Sequence, residues 1–169
     1  MTIRGRVLLS AAALAAALAI AGGAASAAPG NALRLELAGS KGQAIRLADF
    51  AGKVVLVKIW ASWCPQCRQA FPQLSALQRE LRPRGVEIVA VNVDDVRKRA
   101  TAFLAEHPTP MVVAFDPRAR MLEALGGAAI PASFVLDRTG AVRYRHTGYD
   151  AATLAAYRQE IETLLSERQ

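Results

Sequence analysis

Apolar and polar positions along this chain change their period several times, and each change marks an element. Leu33, Leu35 and Leu37 alternate with Arg34 and Glu36, Gly39-Ser40-Lys41-Gly42 makes a turn, and Gln43 to Leu47 alternates again. That pattern predicts a β-hairpin behind a short linker, Pro29 to Ala32. Ala48 to Lys53 reads as a turn or a single helical turn. Val54 to Ile59 is a nearly continuous apolar run, broken only by Lys58, and predicts a buried strand. Phe71, Leu74, Leu77 and Leu81 then recur at helical spacing, with Pro72 expected to kink that helix and Pro83-Arg84-Gly85 to end it. Val86 to Val93 predicts a second buried strand, Asn92 to Asp95 a capping loop, and Val96 to Glu106 a helix broken by His107-Pro108-Thr109-Pro110.

The remainder continues in the same way. Met111 to Phe115 predicts a strand, and a short helix starts at Asp116 and Pro117 and stops at Gly126-Gly127. Ala132 to Leu136 and Ala141 to His146 predict two strands joined by the turn Asp137-Arg138-Thr139-Gly140. The last helix begins at Asp150, an N-cap residue, and its apolar face is Leu154, Tyr157, Ile161, Leu164 and Leu165. Strand, helix, strand, helix, then a hairpin and a closing helix, is an α/β sandwich around a mixed central sheet.

The first residues do not share this organisation. Arg4 and Arg6 precede an alanine-rich apolar run from Val7 to about Ile20, followed by the small residues Ala25-Ser26-Ala27. This predicts a signal peptide over residues 1–27, cleaved before Ala28, and a domain over 28–169. The competing reading is an uncleaved membrane anchor, because Val7 to Ala28 approaches the ~20 apolar residues that cross a bilayer. Either way the chain is expected outside the cytoplasm, in the periplasm or an equivalent exported location. With 169 residues, 53% of them hydrophobic, there is ample material for one core. The net charge of +7 includes Arg4 and Arg6, and the other arginines scatter without forming a run. That describes a solvated basic surface and no nucleic-acid module.

Chemistry concentrates at Trp60-Ala61-Ser62-Trp63-Cys64-Pro65-Gln66-Cys67, which holds both cysteines of the chain. A structural staple closing so short a loop constrains the unfolded chain little. A zinc site lacks a second pair of ligands. Redox exchange fits better. Residues three apart in a helical turn lie about 5 Å apart at Cα, within the range of roughly 4.4–6.8 Å that a disulfide requires. Cys64 falls at the helix start with Pro65 in the first turn, where its missing N–H is harmless. The helix N-terminus favours negative charge and holds Cys64 partly as thiolate. Cys64 is therefore the expected nucleophile, and Cys67, one turn deeper, the resolving thiol. Such a pair, exported, stays oxidised unless a dedicated donor reduces it. His107 and His146 are isolated and read as surface residues.

The run Val-Val-Leu-Val-Lys-Ile-Trp-Ala-Ser-Trp-Cys-Pro-Gln-Cys-Arg-Gln-Ala-Phe-Pro resembles the active-site block of exported thioredoxin-fold disulfide reductases of the TlpA/ResA type. Ala129 to Gly140 resembles that family's cis-proline loop and following hairpin, and together the likeness covers nearly everything after residue 32. It implies a thioredoxin-like fold with an N-terminal β-hairpin extension, and a cis Pro131 lying against the cysteines. It further implies that the backbone of Ile130 pairs with an extended client, with Trp63 and Pro65 on the same client-facing surface. Where thioredoxins carry a buried aspartate that handles protons for the second cysteine, this chain has Lys58. Lys58 thus either tunes the pKa of the pair or extends its amine to solvent. The resemblance implies a monomer without bound cofactor or metal, a membrane-bound electron donor, and disulfide-bearing clients such as an apocytochrome c or a copper-site protein. Two alternatives share the fold. One is a copper-binding Sco-like module, which resembles a Cys-x-x-x-Cys pair with a distant histidine such as His146. The other is a thiol peroxidase, whose pattern is not found around these cysteines.

Overall fold

The computed structural model describes residues 30–167. The expected leader and cleavage site lie outside the described residues. Seven strands, β1 (Leu37–Gly39), β2 (Ala44–Ile45), β3 (Val54–Trp60), β4 (Val86–Asn92), β5 (Val112–Phe115), β6 (Ala132–Leu136) and β7 (Val142–Thr147), form one mixed sheet in the order β2-β1-β5-β4-β3-β6-β7. Its centre is β3, parallel to β4 on one side and antiparallel to β6 on the other. β5 runs parallel beyond β4, and β7 runs antiparallel beyond β6. Every residue of β3, β4 and β6 is buried. A sheet covered on both faces needs such continuous apolar runs, which is why these strands carry no polar alternation.

Two layers cover the sheet. Val54, Leu56, Trp60, Ile88 and Ala90 point to one face, where they pack with α2 (Pro65–Leu81), α3 (Arg97–Glu106) and α5 (Ala151–Ser166). Val55, Val57, Ile59, Val89 and Val91 point to the other, under α1 (Gly30–Arg34) and α4 (Arg120–Ala124). α2 continues through Pro72, and Gly85 follows its last turn in the left-handed region that glycine enters without strain. α5 opens as expected: the Asp150 carboxylate accepts the Thr153 N–H at 2.7 Å.

The N-terminal hairpin is present but shorter than predicted and shifted along the chain. β1 is Leu37–Gly39 and β2 is Ala44–Ile45, paired antiparallel, and β1 joins the sheet beside β5. Residues Gly30 to Arg34, expected as linker and strand, are helical instead. Leucines spaced two apart suit a strand, but Leu33 packs against the turn at Gly140, where an added Cβ would lie 2.7 Å from it. That tertiary contact overrides the local alternation.

Candidate active site

The site forms where β3 ends and α2 begins. Cys64 is the N-cap of α2, with extended backbone, and Pro65 occupies the first helical position. The Cys67 N–H, in the first turn of the helix, donates to the Cys64 carbonyl at 3.1 Å and is also directed at Cys64 Sγ at 3.2 Å. The same geometry would stabilise a thiolate there, because an amide hydrogen and the helix N-terminus both favour negative charge. Cys64 and Cys67 are joined as a disulfide with Cα atoms 5.2 Å apart, and they are only 4% and 1% exposed. The guanidinium of Arg68 reaches the Ser62 carbonyl at 3.5 Å, placing a cation beside the same loop.

The loop before Cys64 is fixed by a residue with no distinguishing signal in the sequence. Asp94, buried at the end of β4, accepts the Ser62 N–H through both carboxylate oxygens, at 3.0 and 3.3 Å. Asn92 holds it in turn: its Nδ2 donates to Asp94 at 3.1 Å, and its Oδ1 accepts the Asp94 N–H at 3.0 Å. The loop expected over Asn92 to Asp95 as the cap of α3 serves the cysteine loop instead: Val96 stands at the helix N-cap, and no side chain caps the first turn.

Pro131 follows a cis peptide bond and is buried. Its carbonyl accepts the N–H of Gly148 at 2.8 Å. Ile130 is half-buried and packs against the apolar clusters on both faces of the sheet, one of which contains both cysteines. Trp60 is buried between Phe71 and Phe103, with ring centroids 5.0 and 5.1 Å away. Trp63 is 60% exposed, and Val96, 45% exposed, follows two residues after Asp94. Trp63 lies on the loop that Asp94 anchors. Pro65 is also exposed.

Lys58 does not extend to solvent. It is 1% exposed, on the α2 side of β3, and its Nζ donates to Ser133 Oγ at 3.1 Å. The Tyr149 ring lies 5.2 Å from the same nitrogen, and the Tyr157 hydroxyl donates to Ser133 Oγ at 2.5 Å. Burial lowers the Lys58 pKa from 10.5 to about 8, because an ammonium loses its hydration there. Tyr157 lies on the face of the last helix expected to be buried, whereas Ser133 and Tyr149 carry no signal in the sequence. They come from distant positions, and only the register of β3 on β6 reveals that Ser133 faces Lys58.

Neither histidine is free. His107 stacks on Phe103 with ring centroids 4.2 Å apart, and His146 meets Glu160 at 2.9 Å with its ring edge-on to Tyr157. His146 is thus half-buried in a polar cluster rather than on the open surface. Among the described residues, no group of three or more His, Cys, Asp or Glu side chains is arranged to hold a metal, and no helix is long and apolar enough to cross a membrane.

Known proteins share this arrangement. The model of the Redoxin family matches residues 23–165. The chain is 37% identical over 131 residues to the thiol:disulfide interchange protein HelX of Rhodobacter capsulatus, covering 70% of this chain and 72% of that one. It is 30% identical over 102 residues to the thiol-disulfide oxidoreductase ResA of Bacillus thuringiensis, 60% of this chain, and spans 59% of that relative's length. Among solved structures, a Chlorobium tepidum protein assigned as thiol:disulfide interchange protein DsbE superposes with a TM-score of 0.75 at 38% identity. The match covers 78% of this chain and 93% of that one. The fold is thioredoxin-like, a mixed sheet flanked by helices.

Proposed function

The chain belongs to the Redoxin family, and on that premise we propose that it is an exported thiol–disulfide oxidoreductase that reduces disulfides of specific client proteins. The observation that carries this reading is the closed Cys64–Cys67 pair at the start of α2, with the Cys67 amide directed at Cys64 Sγ. In the reduced protein Cys64, as thiolate, attacks one sulfur of the client disulfide. The client's other sulfur leaves and takes a proton from water. Cys67 then attacks Cys64 Sγ, the mixed disulfide breaks, and the pair closes again. Two client sulfurs are reduced and two cysteine sulfurs oxidised. Trp63, Val96 and Pro65 supply a client-facing rim, and Ile130 offers backbone for an extended segment to pair with.

Names of the relatives support exchange chemistry: HelX is a thiol:disulfide interchange protein and ResA a thiol-disulfide oxidoreductase. The finer reading keeps an apocytochrome c or a copper-site protein as client and a membrane-bound donor as the source of electrons. It places the protein in the periplasm, released by cleavage before Ala28. No bound metal or organic cofactor is needed, because the pair itself carries both electrons.

Catalysed reduction of insulin by dithiothreitol tests the activity. The wild type should accelerate insulin precipitation, and Cys64→Ala should return it to the uncatalysed rate. A Cys64→Ala protein as fast as wild type would overturn the assignment.

A further inference from the structure

Of the buried charged side chains that the exchange steps leave unused, Glu87 and Asp116 pair with arginines, whereas Lys58 does not pair with a carboxylate. Lys58 lies between Leu56 and Trp60, both in the apolar layer that contains Cys64 and Cys67. Its strand neighbours in register are Ala90 on β4 and Ser133 on β6. Beyond Ser133 the register continues to His146 on β7, which is bonded to Glu160 of α5. Tyr157 of α5 and Tyr149 face the amine from the helix side, with Asp150 at the α5 N-cap. Among the described residues no carboxylate pairs with Lys58, so its ammonium has a serine and an aromatic face in place of a counter-ion. Burial makes such an ammonium costly and draws its pKa down to about 8.

Ser133 makes both protonation states of this amine acceptable. A hydroxyl has one hydrogen to donate and two lone pairs. With Lys58 as ammonium, Ser133 accepts from both Lys58 and Tyr157. With Lys58 as neutral amine, Ser133 still accepts from Tyr157 and turns its own hydrogen to Nζ. The amine can lose or gain a proton while every heavy atom stays in place.

The opening of the disulfide adds a negative charge, the Cys64 thiolate, to this same layer. We propose that Lys58 is a redox-linked proton site, which gains a proton when the Cys64–Cys67 disulfide is reduced and gives it up when the disulfide closes. The proposal rests on the exchange chemistry above and assigns its second proton. A dithiol donor supplies two electrons and two protons; the Cys64–Cys67 bond breaks, Cys67 becomes a thiol, Cys64 a thiolate, and the remaining proton goes to the Lys58 amine. In client reduction the sequence reverses. The Cys64–Cys67 bond re-forms, the client disulfide breaks, and its two sulfurs receive, by way of water, the protons released by Cys67 and Lys58. Where the medium is acidic enough to keep Lys58 protonated throughout, the same ammonium is a standing counter-charge to the thiolate.

The test is an NMR titration of the lysine ε-methylene signals in the full chain, oxidised and then reduced with dithiothreitol, with Lys58 assigned by its loss in Lys58→Met. The Lys58 midpoint should rise by about one pH unit or more on reduction, a tenfold tighter hold on its proton. In the redox equilibrium with dithiothreitol between about pH 8 and the raised midpoint, wild type should stay level, because it takes up both protons the dithiol gives, whereas Lys58→Met, which takes up one and releases the other, should shift about tenfold per pH unit toward the reduced protein. Equal Lys58 midpoints in the two redox states would overturn the proposal. If Lys58→Met does not fold, Cys64→Ser with Cys67→Ser serves as control, and its lysine midpoints should ignore dithiothreitol. Insulin reduction by wild type separates the two ideas: an inactive protein whose Lys58 midpoint still moves loses the reductase reading and keeps the proton site.

Discussion

Replacing Lys58 by methionine should stabilise the oxidised protein at neutral pH and destabilise it in alkali. Burial lowers the amine's pKa from 10.5 to about 8, so the folded state holds this proton less tightly than the unfolded chain does. At ~1.4 kcal/mol per pH unit, the depression costs about 3 kcal/mol of stability wherever both states are protonated, below about pH 8. Methionine fills a similar volume without a charge to bury. It forfeits the bond to Ser133 Oγ and the contact with Tyr149, each worth about 1 kcal/mol. The net gain near pH 6.5 is therefore about 1 kcal/mol.

The sign then depends on pH. Above about pH 8 the folded wild type releases the proton while the unfolded chain keeps it until about 10.5, so wild-type stability climbs through that window. At about pH 9.5 the wild type has recovered about 2 kcal/mol, and Lys58→Met should be the less stable protein by about 1 kcal/mol. Urea unfolding of both oxidised proteins at the two pH values, followed by far-ultraviolet circular dichroism, measures the difference directly. A difference that stays the same at both pH values would refute the reasoning, since only titration of Lys58 makes it change.

Four further outcomes follow from the site. In Cys67→Ala, Cys64 still attacks but nothing resolves the product, so acid-quenched cells should show a few discrete mixed disulfides on non-reducing gels, with far fewer from Cys64→Ala. A broad smear would instead indicate a general oxidant. Trp63→Ala should lower kcat/KM toward a protein client about tenfold while leaving reduction of a small disulfide such as oxidised glutathione within about twofold, because the exposed ring contacts a client's chain and not its sulfur. Asp94→Ala should cost about 2 kcal/mol in urea unfolding, since it leaves the Ser62 amide and Asn92 without their charged partner. Protein purified from the cell envelope should have a mass that begins at Ala28, whereas the intact mass in the membrane fraction would indicate an anchor.

Features that depend on neighbours in sequence were legible, and features that depend on distant partners were not. The cysteine pair, Pro65 and the α5 cap at Asp150 are local: spacing, a missing N–H and a short acidic side chain define them within one turn. The cis bond before Pro131 was legible through likeness to a family, since nothing in its immediate neighbours specifies it. The hairpin was recognised but misplaced, because docking of Leu33 under Gly140 decides the conformation of residues 30–34. A lysine in an apolar strand is compatible with burial or with reaching solvent. What decides is Ser133, 75 positions away, together with the wall made by Tyr149 and Tyr157. Asp94 escaped notice because an aspartate after a strand reads as an ordinary turn residue. Its partner, the Ser62 amide, has no signature in sequence at all.

A protein proposed to hold other chains by their backbones must keep its own sheet from being held in the same way. The two outer strands show how self-association is discouraged. At one end β2 has only two residues, too few to template another strand. At the other, β7 carries exposed Arg143 and Arg145, and these charges make an incoming β-strand of a second copy unwelcome. Aggregation by edge-to-edge pairing is thereby opposed at both margins. On the proposed function, an extended client is left to pair with the backbone of Ile130.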